Sequence, residues 1–357
     1  MSKLYRYIHL PISLALLMTA PSYAQPDLTT PIDFSLLHSQ DTSYRFVTQS
    51  FNQPAPELDT TDKEAQKLAE LVTPRHYQVW LAIPEGYDSS KPANVLYLLD
   101  GNGVLDDLEV ATLRDLTQQS PALSTEQKQP PILVLIGYQT PYRFEVAARA
   151  YDYTPPLLIS TGINTTFQEA GRARLNGGAE TFHTLIEDEI KPWVAQTLGT
   201  APASEAIWGH SYGGLFVLYT LLKHPEAYQH YYSADPSLWW QDGEMTQYWQ
   251  AYQASATAHS KPQGTNKLSP RKTIRITFSG DTATVASRAA AIAEPVAPVA
   301  NQQAMTPADQ DKQQFAKEVC QYFATQEQAE CSYQQYKQSH GELFTSSLLD
   351  TLKRFKP

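Results

Sequence analysis

The 357-residue sequence has no surplus of basic side chains: 27 Lys and Arg stand against 37 Asp and Glu, a formal charge of −10. Nucleic acids are held through clustered Lys and Arg, so this balance argues against a nucleic-acid partner. It excludes no small ligand, because a pocket can carry its own local charge. Cysteine is nearly absent as well, with only Cys320 and Cys331. Neither has a His or acidic residue at a metal-site spacing, so no zinc is expected. Two thiols this close in an exported chain are expected to bridge, closing a small loop ahead of the C-terminal segment. The other reading is a reduced, buried pair that contributes only packing. No internal repeat stands out, and no apolar run of about 18 residues, the length of a membrane span, follows the N-terminus.

The N-terminus itself is informative. "MSKLYRYIHLPISLALLMTAPSYAQ" sets Lys3 and Arg6 before an apolar stretch from Ile8 to Met18, then Ser22 and Ala24 at small-x-small spacing. That pattern is expected of a secretory signal peptide over residues 1–24, which places the mature chain in the periplasm or outside the cell. No cysteine follows the expected cut, so no lipid anchor and no stable membrane insertion are expected after cleavage.

Residues 25–74 read as an N-terminal extension with a helix-like run at 60–72, and residues 75–357 as the main domain. "HYQVWLAIPEGY" alternates like a half-buried strand. "ANVLYLLDGNG", "PPILVLIGYQT", "SEAIWGHS" and "KTIRITFSGD" are apolar runs closed by turn residues, as strands buried on both faces require. "CSYQQYKQSHG" is a weaker, more polar candidate. Helical patterns lie between them, including "ETFHTLIEDEIKPWVAQTLG" with Phe182, Leu185, Ile186, Ile190 and Val194 at helical spacing. Alternating strands and helices predict an α/β fold with a mostly parallel central sheet flanked by helices. Two ranges break the rhythm: a polar stretch near 251–272 and an Ala- and Pro-rich stretch near 283–311. Both read as surface insertions.

In "IWGHSYGGLFVLYT" (207–220), Ser211 lies between Gly209 and Gly213, after a short strand and before an apolar helix. A strained strand-to-helix turn of this kind lifts a serine oxygen above the sheet as a nucleophile, and both glycines are expected to be needed for close packing. The Tyr212 backbone N–H, at the helix N-terminus, can face a developing oxyanion. His210 is adjacent but points the wrong way for a base, and reads as a wall of the site. The base is expected from His340 in "YKQSHGELF", after the last strand; a helix-capping His is the alternative there. The second oxyanion amide is expected at Asn102 in "YLLDGNGVLDDL", where Gly101 permits a tight turn, the alternative being an ordinary cap turn. The orienting acid is assigned to Asp281, which closes "TIRITFSGD". Glu342 is less well placed, and a bare Ser-His dyad remains open.

Taken in order, "LYLLDGNGVLDDL", "ILVLIGYQT", "RAYDYTPP", "NGGAETFHTLIEDEIKPWV", "WGHSYGGLFVLYTLL", "YYSADPSLWW" and "SHGELFTSSL" resemble the esterase D-like branch of the α/β-hydrolase superfamily, above all its siderophore trilactone esterases. The resemblance implies an α/β-hydrolase fold and a serine carboxylic ester hydrolase that needs no metal or organic cofactor. It matches Ser211 to the nucleophile, His340 to the base, and Asn102 and Tyr212 to the oxyanion amides. Enzymes of this type are described as Ser-His dyads, which keeps Asp281 in doubt. "RAYDYTPP" is implied to lie beside the pocket, where Arg149 meets an anionic catecholate or else pairs with Asp152. "YYSADPSLWW" is implied to place Asp235, Ser237 and Trp239 near the rim, with the two Trp either stacking on aromatic acyl groups or packing in the core. The expected partner is a small-molecule ester. The two insertions and the cysteine pair depart from the periplasmic members. An acyltransferase or a non-catalytic siderophore-binding protein on the same scaffold are the rival readings.

Overall fold

The computed structural model describes residues 29–56, 63–118, 129–157, 166–169, 172–258, 271–280, 307–325 and 329–355. The expected signal peptide, Asp281, and most of both expected insertions lie outside these residues.

The apolar runs form the middle of an eight-stranded sheet, because strands covered on both faces carry few polar positions. Ile132–Tyr138 (β4) is buried along its whole length; Asn94–Leu98 (β3) and Ser204–His210 (β7) are buried beyond their first one or two residues. Around them lie Tyr44–Gln53 (β1), Arg75–Pro84 (β2), His230–Ala234 (β8), Lys272–Ser279 (β9) and Ala329–Tyr336 (β10), in the order β1-β2-β4-β3-β7-β8-β9-β10. β4, β3, β7, β8, β9 and β10 run parallel, whereas β2 is antiparallel to both β1 and β4. Thr166–Glu169 (β5) and Arg172–Leu175 (β6) form a separate antiparallel pair.

Side chains along β4 alternate between two cores, as the period of a strand dictates. Ile132, Val134 and Ile136 meet helices Ala179–Leu185, Lys191–Leu198 and Tyr212–Lys223 through Phe182, Leu185, Val194 and Leu215. Leu133 and Leu135 meet helices Gly101–Asp107, Val110–Gln118 and His340–Arg354 through Val104, Leu113, Phe344 and Leu348. The five residues expected on one helical face, Phe182, Leu185, Ile186, Ile190 and Val194, are all buried. A π-turn over Ile186–Ile190 interrupts this stretch just ahead of Pro192, which has no N–H to donate.

Three features differ from the sequence reading or resolve it. Tyr44–Gln53, inside the N-terminal extension, is an edge strand paired with β2 across ten residues. Apart from Phe51 its interior is half-buried or exposed, so it lacks the apolar run that marks the central strands. Helix Pro307–Thr325 starts inside the range read as the second insertion, and its Phe315, Ala316, Val319 and Phe323 are core residues. Cys320 on that helix is bridged to Cys331 on β10. No helix among the described residues is long and apolar enough to cross a membrane.

Candidate active site

Ser211 occupies the turn between β7 and helix Tyr212–Lys223. Its backbone is held at φ 60°, ψ −117°, a conformation few non-glycine residues adopt. Its N–H donates to the Ala234 carbonyl at 2.9 Å, and its own carbonyl accepts from the Ser237 and Leu215 N–H groups, so the neighbouring strand and the new helix fix the turn from both sides. Gly209 is required here: a β-carbon would lie 2.5 Å from the backbone of Gly213. Gly213 is different from expectation, since a β-carbon there meets Leu99 only at an ordinary 3.6 Å.

His340 opens helix His340–Arg354. Ser339 and Glu342 form a capping box at that end: the Ser339 hydroxyl accepts from the Glu342 N–H, and Glu342 accepts from the Ser339 N–H at 2.9 Å. Glu342 is thereby committed to the cap and does not orient the imidazole. His340 Nε2 lies 3.1 Å from Ser211 Oγ, and its Nδ1 lies 2.7 Å from Asp235 Oδ2. An N–H at Nδ1 donating to the carboxylate leaves Nε2 unprotonated toward the serine hydroxyl.

Among the described residues the carboxylate at His340 Nδ1 is that of Asp235, at the end of β8, the strand beside β7. Asp281, the acid expected from the sequence, lies outside the described residues. Asp235 has φ 40°, its N–H donates to the Thr277 carbonyl at 2.7 Å, and its side chain is fully buried. Oδ2 also accepts from the Ser279 hydroxyl, and Oδ1 lies 3.0 Å from the Lys312 ammonium. Burial alone would raise this carboxyl, but the hydrogen bond from His340 and the charge of Lys312 outweigh it and hold it well below the usual carboxylate range.

His210 forms a wall beside the imidazole. Its ring centre lies 4.5 Å from that of His340 and 5.5 Å from Phe344, and burial, reinforced by the nearby His340 charge, pushes its own protonation far down. His210, Asp235 and His340 bring ligand atoms within 4.8 Å of one another, the one such group among the described residues. Asp235 Oδ2 and His340 Nδ1 face each other and His340 Nε2 faces Ser211, so these donors are already committed.

Asn102 lies in the first turn of helix Gly101–Asp107, where a backbone N–H has no intrahelical acceptor; Tyr212 opens its helix in the same way. The Asn102 side chain clamps the end of β4, accepting from the Tyr138 N–H at 2.8 Å and donating to the Tyr138 and Thr140 carbonyls. The positive φ of this turn falls on Asp100 (53°), not on Gly101, and Gly101 is needed instead because a β-carbon would meet the β4 backbone at 2.8 Å. Asp100 sits at the cap position without capping. Its carboxylate takes a two-pronged ion pair from Arg149, with Nε–Oδ1 and a terminal nitrogen–Oδ2 both at 2.8 Å.

This corrects the alternative in which Arg149 pairs with Asp152. Asp152 is buried and answers Arg75 at 3.1 Å, with the Tyr77 and Tyr138 hydroxyls donating to it at 2.8 and 3.0 Å. With no exposed surface it is a core anchor and has no place among substrate contacts. The Arg149 guanidinium packs over the rings of Phe144, Tyr153 and Tyr212, and although burial opposes its charge, Asp100 more than offsets this and its protonation is strengthened. The two Trp separate: Trp240 is buried and donates to Asn176 at 3.0 Å, while Trp239 is 47% exposed with its ring 5.9 Å from Tyr212. Ser237 Oγ lies 3.2 Å from Ser211 Oγ.

The sequence reading placed Asp235 only at the rim and missed Ser279 and Lys312. The signal for Asp235 was an acid directly after the strand that follows the nucleophile helix. Nothing in the sequence marked Lys312.

Comparison with known proteins places the chain by sequence and by fold. The family model described as "Putative esterase" matches residues 71–339. The chain is 36% identical over 225 residues to the apo-salmochelin esterase of Escherichia coli O6:H1, covering 63% of this chain and 61% of that protein. It is 32% identical over 168 residues to the ferri-bacillibactin esterase BesA of Bacillus subtilis, covering 46% of this chain and 55% of the relative. The alignments thus span between half and two thirds of these curated relatives. The solved structure of the enterobactin hydrolase IroE in complex with DFP superposes with a TM-score of 0.56 at 26% identity, covering 89% of this chain and 97% of that one. The siderophore hydrolase EstA from Aspergillus nidulans superposes with a TM-score of 0.56 at 21% identity, covering 86% and 93%, a likeness of fold. With the family model running through well over half of its residues, the chain belongs to the Putative esterase family of α/β hydrolases.

Proposed function

We propose that this chain is an exported serine ester hydrolase that opens the ester or lactone bonds of siderophore-type substrates through an acyl-enzyme. The observation that carries the reading is the continuous relay Ser211 Oγ–His340 Nε2 at 3.1 Å and His340 Nδ1–Asp235 Oδ2 at 2.7 Å. Ser211 Oγ attacks the carbonyl carbon while His340 Nε2 takes its proton. The tetrahedral oxyanion is received by the Tyr212 and Asn102 backbone N–H groups. His340 then returns the proton to the leaving alkoxide oxygen, the ester bond breaks and the alcohol departs. Water attacks the acyl-enzyme with His340 again as base, releasing the acid and restoring Ser211. Asp235 stays ionised throughout and holds the imidazole in the reactive tautomer.

The substrate class rests on the relatives, which are named as esterases of salmochelin and bacillibactin. The exposed face of Trp239 beside Tyr212 is suited to an aromatic acyl group. Arg149, saturated by Asp100, serves to stiffen the turn that presents Asn102. Export rests on the N-terminal pattern of residues 1–24.

The test is hydrolysis of a p-nitrophenyl ester and of a panel of tri-catecholate lactones by the wild type and Ser211→Ala. Loss of turnover on both substrates, with an unchanged thermal unfolding curve, is the expected result. Persistent turnover in Ser211→Ala contradicts the serine mechanism, and activity on simple esters but on no lactone contradicts the substrate class.

A further inference from the structure

Lys312 belongs to none of the motifs that point to the site, yet its ammonium lies 3.0 Å from Asp235 Oδ1. It stands on helix Pro307–Thr325, which is anchored in the core by Phe315, Ala316, Val319 and Phe323 and tied to β10 by the Cys320–Cys331 bridge. The next residue, Gln313, donates to Gln335 on β10 at 2.8 Å. A lysine normally keeps its charged head in water. This one is only 18% exposed and ends on a carboxylate with no exposed surface. The two oxygens of Asp235 are thus divided, Oδ1 to Lys312 and Oδ2 to His340 and Ser279.

We propose that Lys312 is a positioning residue that tunes the base: by sharing the charge of Asp235, it lets His340 remain unprotonated, and so ready to receive the Ser211 proton, at lower pH than an unshared carboxylate would allow. The proposal rests on the reading of Ser211 and His340 as nucleophile and base. A carboxylate against an imidazole favours the imidazolium, and a cation on the far side of that carboxylate opposes it. The other charged or titratable groups around His340 do not do this work. His210 is kept neutral by burial. Glu342, on the same helix, is bonded to Ser339. Arg149 is answered by Asp100. Arg143, which packs over the Phe344 ring, is paired with Asp106 and Asp107. Among the described residues the cation bonded to Asp235 is Lys312.

Two readouts test this in the full chain: NMR titration of the His340 imidazole, and the acid limb of the pH profile of kcat/KM on a p-nitrophenyl ester. In Lys312→Met both are expected to move upward by about one pH unit, the scale for a unit charge acting through a contact pair. In Lys312→Arg both are expected to stay within about 0.3 unit of the wild type, because the charge is retained. Should Lys312→Met impair folding, Lys312→Gln carries the same expectation. Titrations of the Met or Gln variant that superpose on the wild type, or an equal shift in Lys312→Arg, overturn the proposal. The NMR arm needs no turnover, so a wild type without Ser211-dependent hydrolysis defeats the functional reading while the imidazole titration still decides the role of Lys312.

Discussion

Asp235 reaches His340 from the end of the strand beside the nucleophile strand, and its Oδ2 lies 2.7 Å from the imidazole Nδ1 across 105 residues of sequence. In the proposed mechanism an acid there fixes the tautomer and stabilises the imidazolium that forms when Ser211 gives up its proton. Asp235→Asn keeps the shape and lets the side chain present an N–H where an acceptor is needed. Steady-state kinetics of Asp235→Asn should show kcat lower by about 10²–10⁴-fold with KM changed far less. A variant within a few-fold of the wild type would make His340 and Ser211 a self-sufficient dyad.

The two glycines flanking Ser211 have unequal roles. A β-carbon at Gly209 collides with the Gly213 backbone at 2.5 Å, whereas one at Gly213 finds room. Urea unfolding should show Gly209→Ala destabilised by about 2 kcal/mol or more, the scale of overpacking in a tight core. Gly213→Ala should stay within about 1 kcal/mol of the wild type. Equal losses in the two variants would contradict the packing described for the turn.

Arg149, partly buried, and the fully buried Asp100 form a two-pronged pair at the base of the Asn102 turn. Arg149→Met leaves an uncompensated buried carboxylate and should cost about 3–5 kcal/mol of stability, read from chemical denaturation. The double variant with Asp100→Asn should recover a substantial part of that loss. If Arg149→Met unfolds like the wild type while KM for a catecholate substrate rises steeply, Arg149 is a substrate contact and not a brace.

His183 stacks on His224 with ring centres 3.9 Å apart, and burial first, then the His224 charge, pushes its imidazole down to about 4. The unfolded chain binds this proton near pH 6.5 and the folded chain only near its depressed value, so the native state holds fewer protons between them. Its contribution to stability is therefore complete above about pH 6.5 and is lost as the pH falls toward 4. Thermal melts across that window should fall with pH in the wild type and fall less steeply in His183→Phe. Parallel slopes would place the acid sensitivity elsewhere.

The strand-to-helix turn at Ser211 and the place of His340 beside it were legible because their signals are local: a Ser between glycines at a strand-to-helix junction, and a His at the start of the last helix. The central strands were legible as unbroken apolar runs, and the edge strand Tyr44–Gln53 was not, since its half-exposed interior gives no such run. Arg149 and Asp152 stand three apart on one short helix, which reads as a natural pair. The fold directs Arg149 to Asp100 and Asp152 inward to Arg75, and spacing along the chain does not reveal that divergence. The partners of Asp235 were the least accessible of all. Lys312, Ser279 and His340 converge on it from three separate elements, through the order of strands in the sheet.

The central claim is that Ser211, activated by His340, carries the acyl group. Rapid-quench mass spectrometry of the enzyme with an activated ester tests this most directly. The expected result is a transient adduct of the acyl mass on the peptide that holds Ser211, absent in Ser211→Ala and formed far more slowly in His340→Ala. Hydrolysis proceeding at the wild-type rate with no adduct, or with the adduct on another residue, would contradict it.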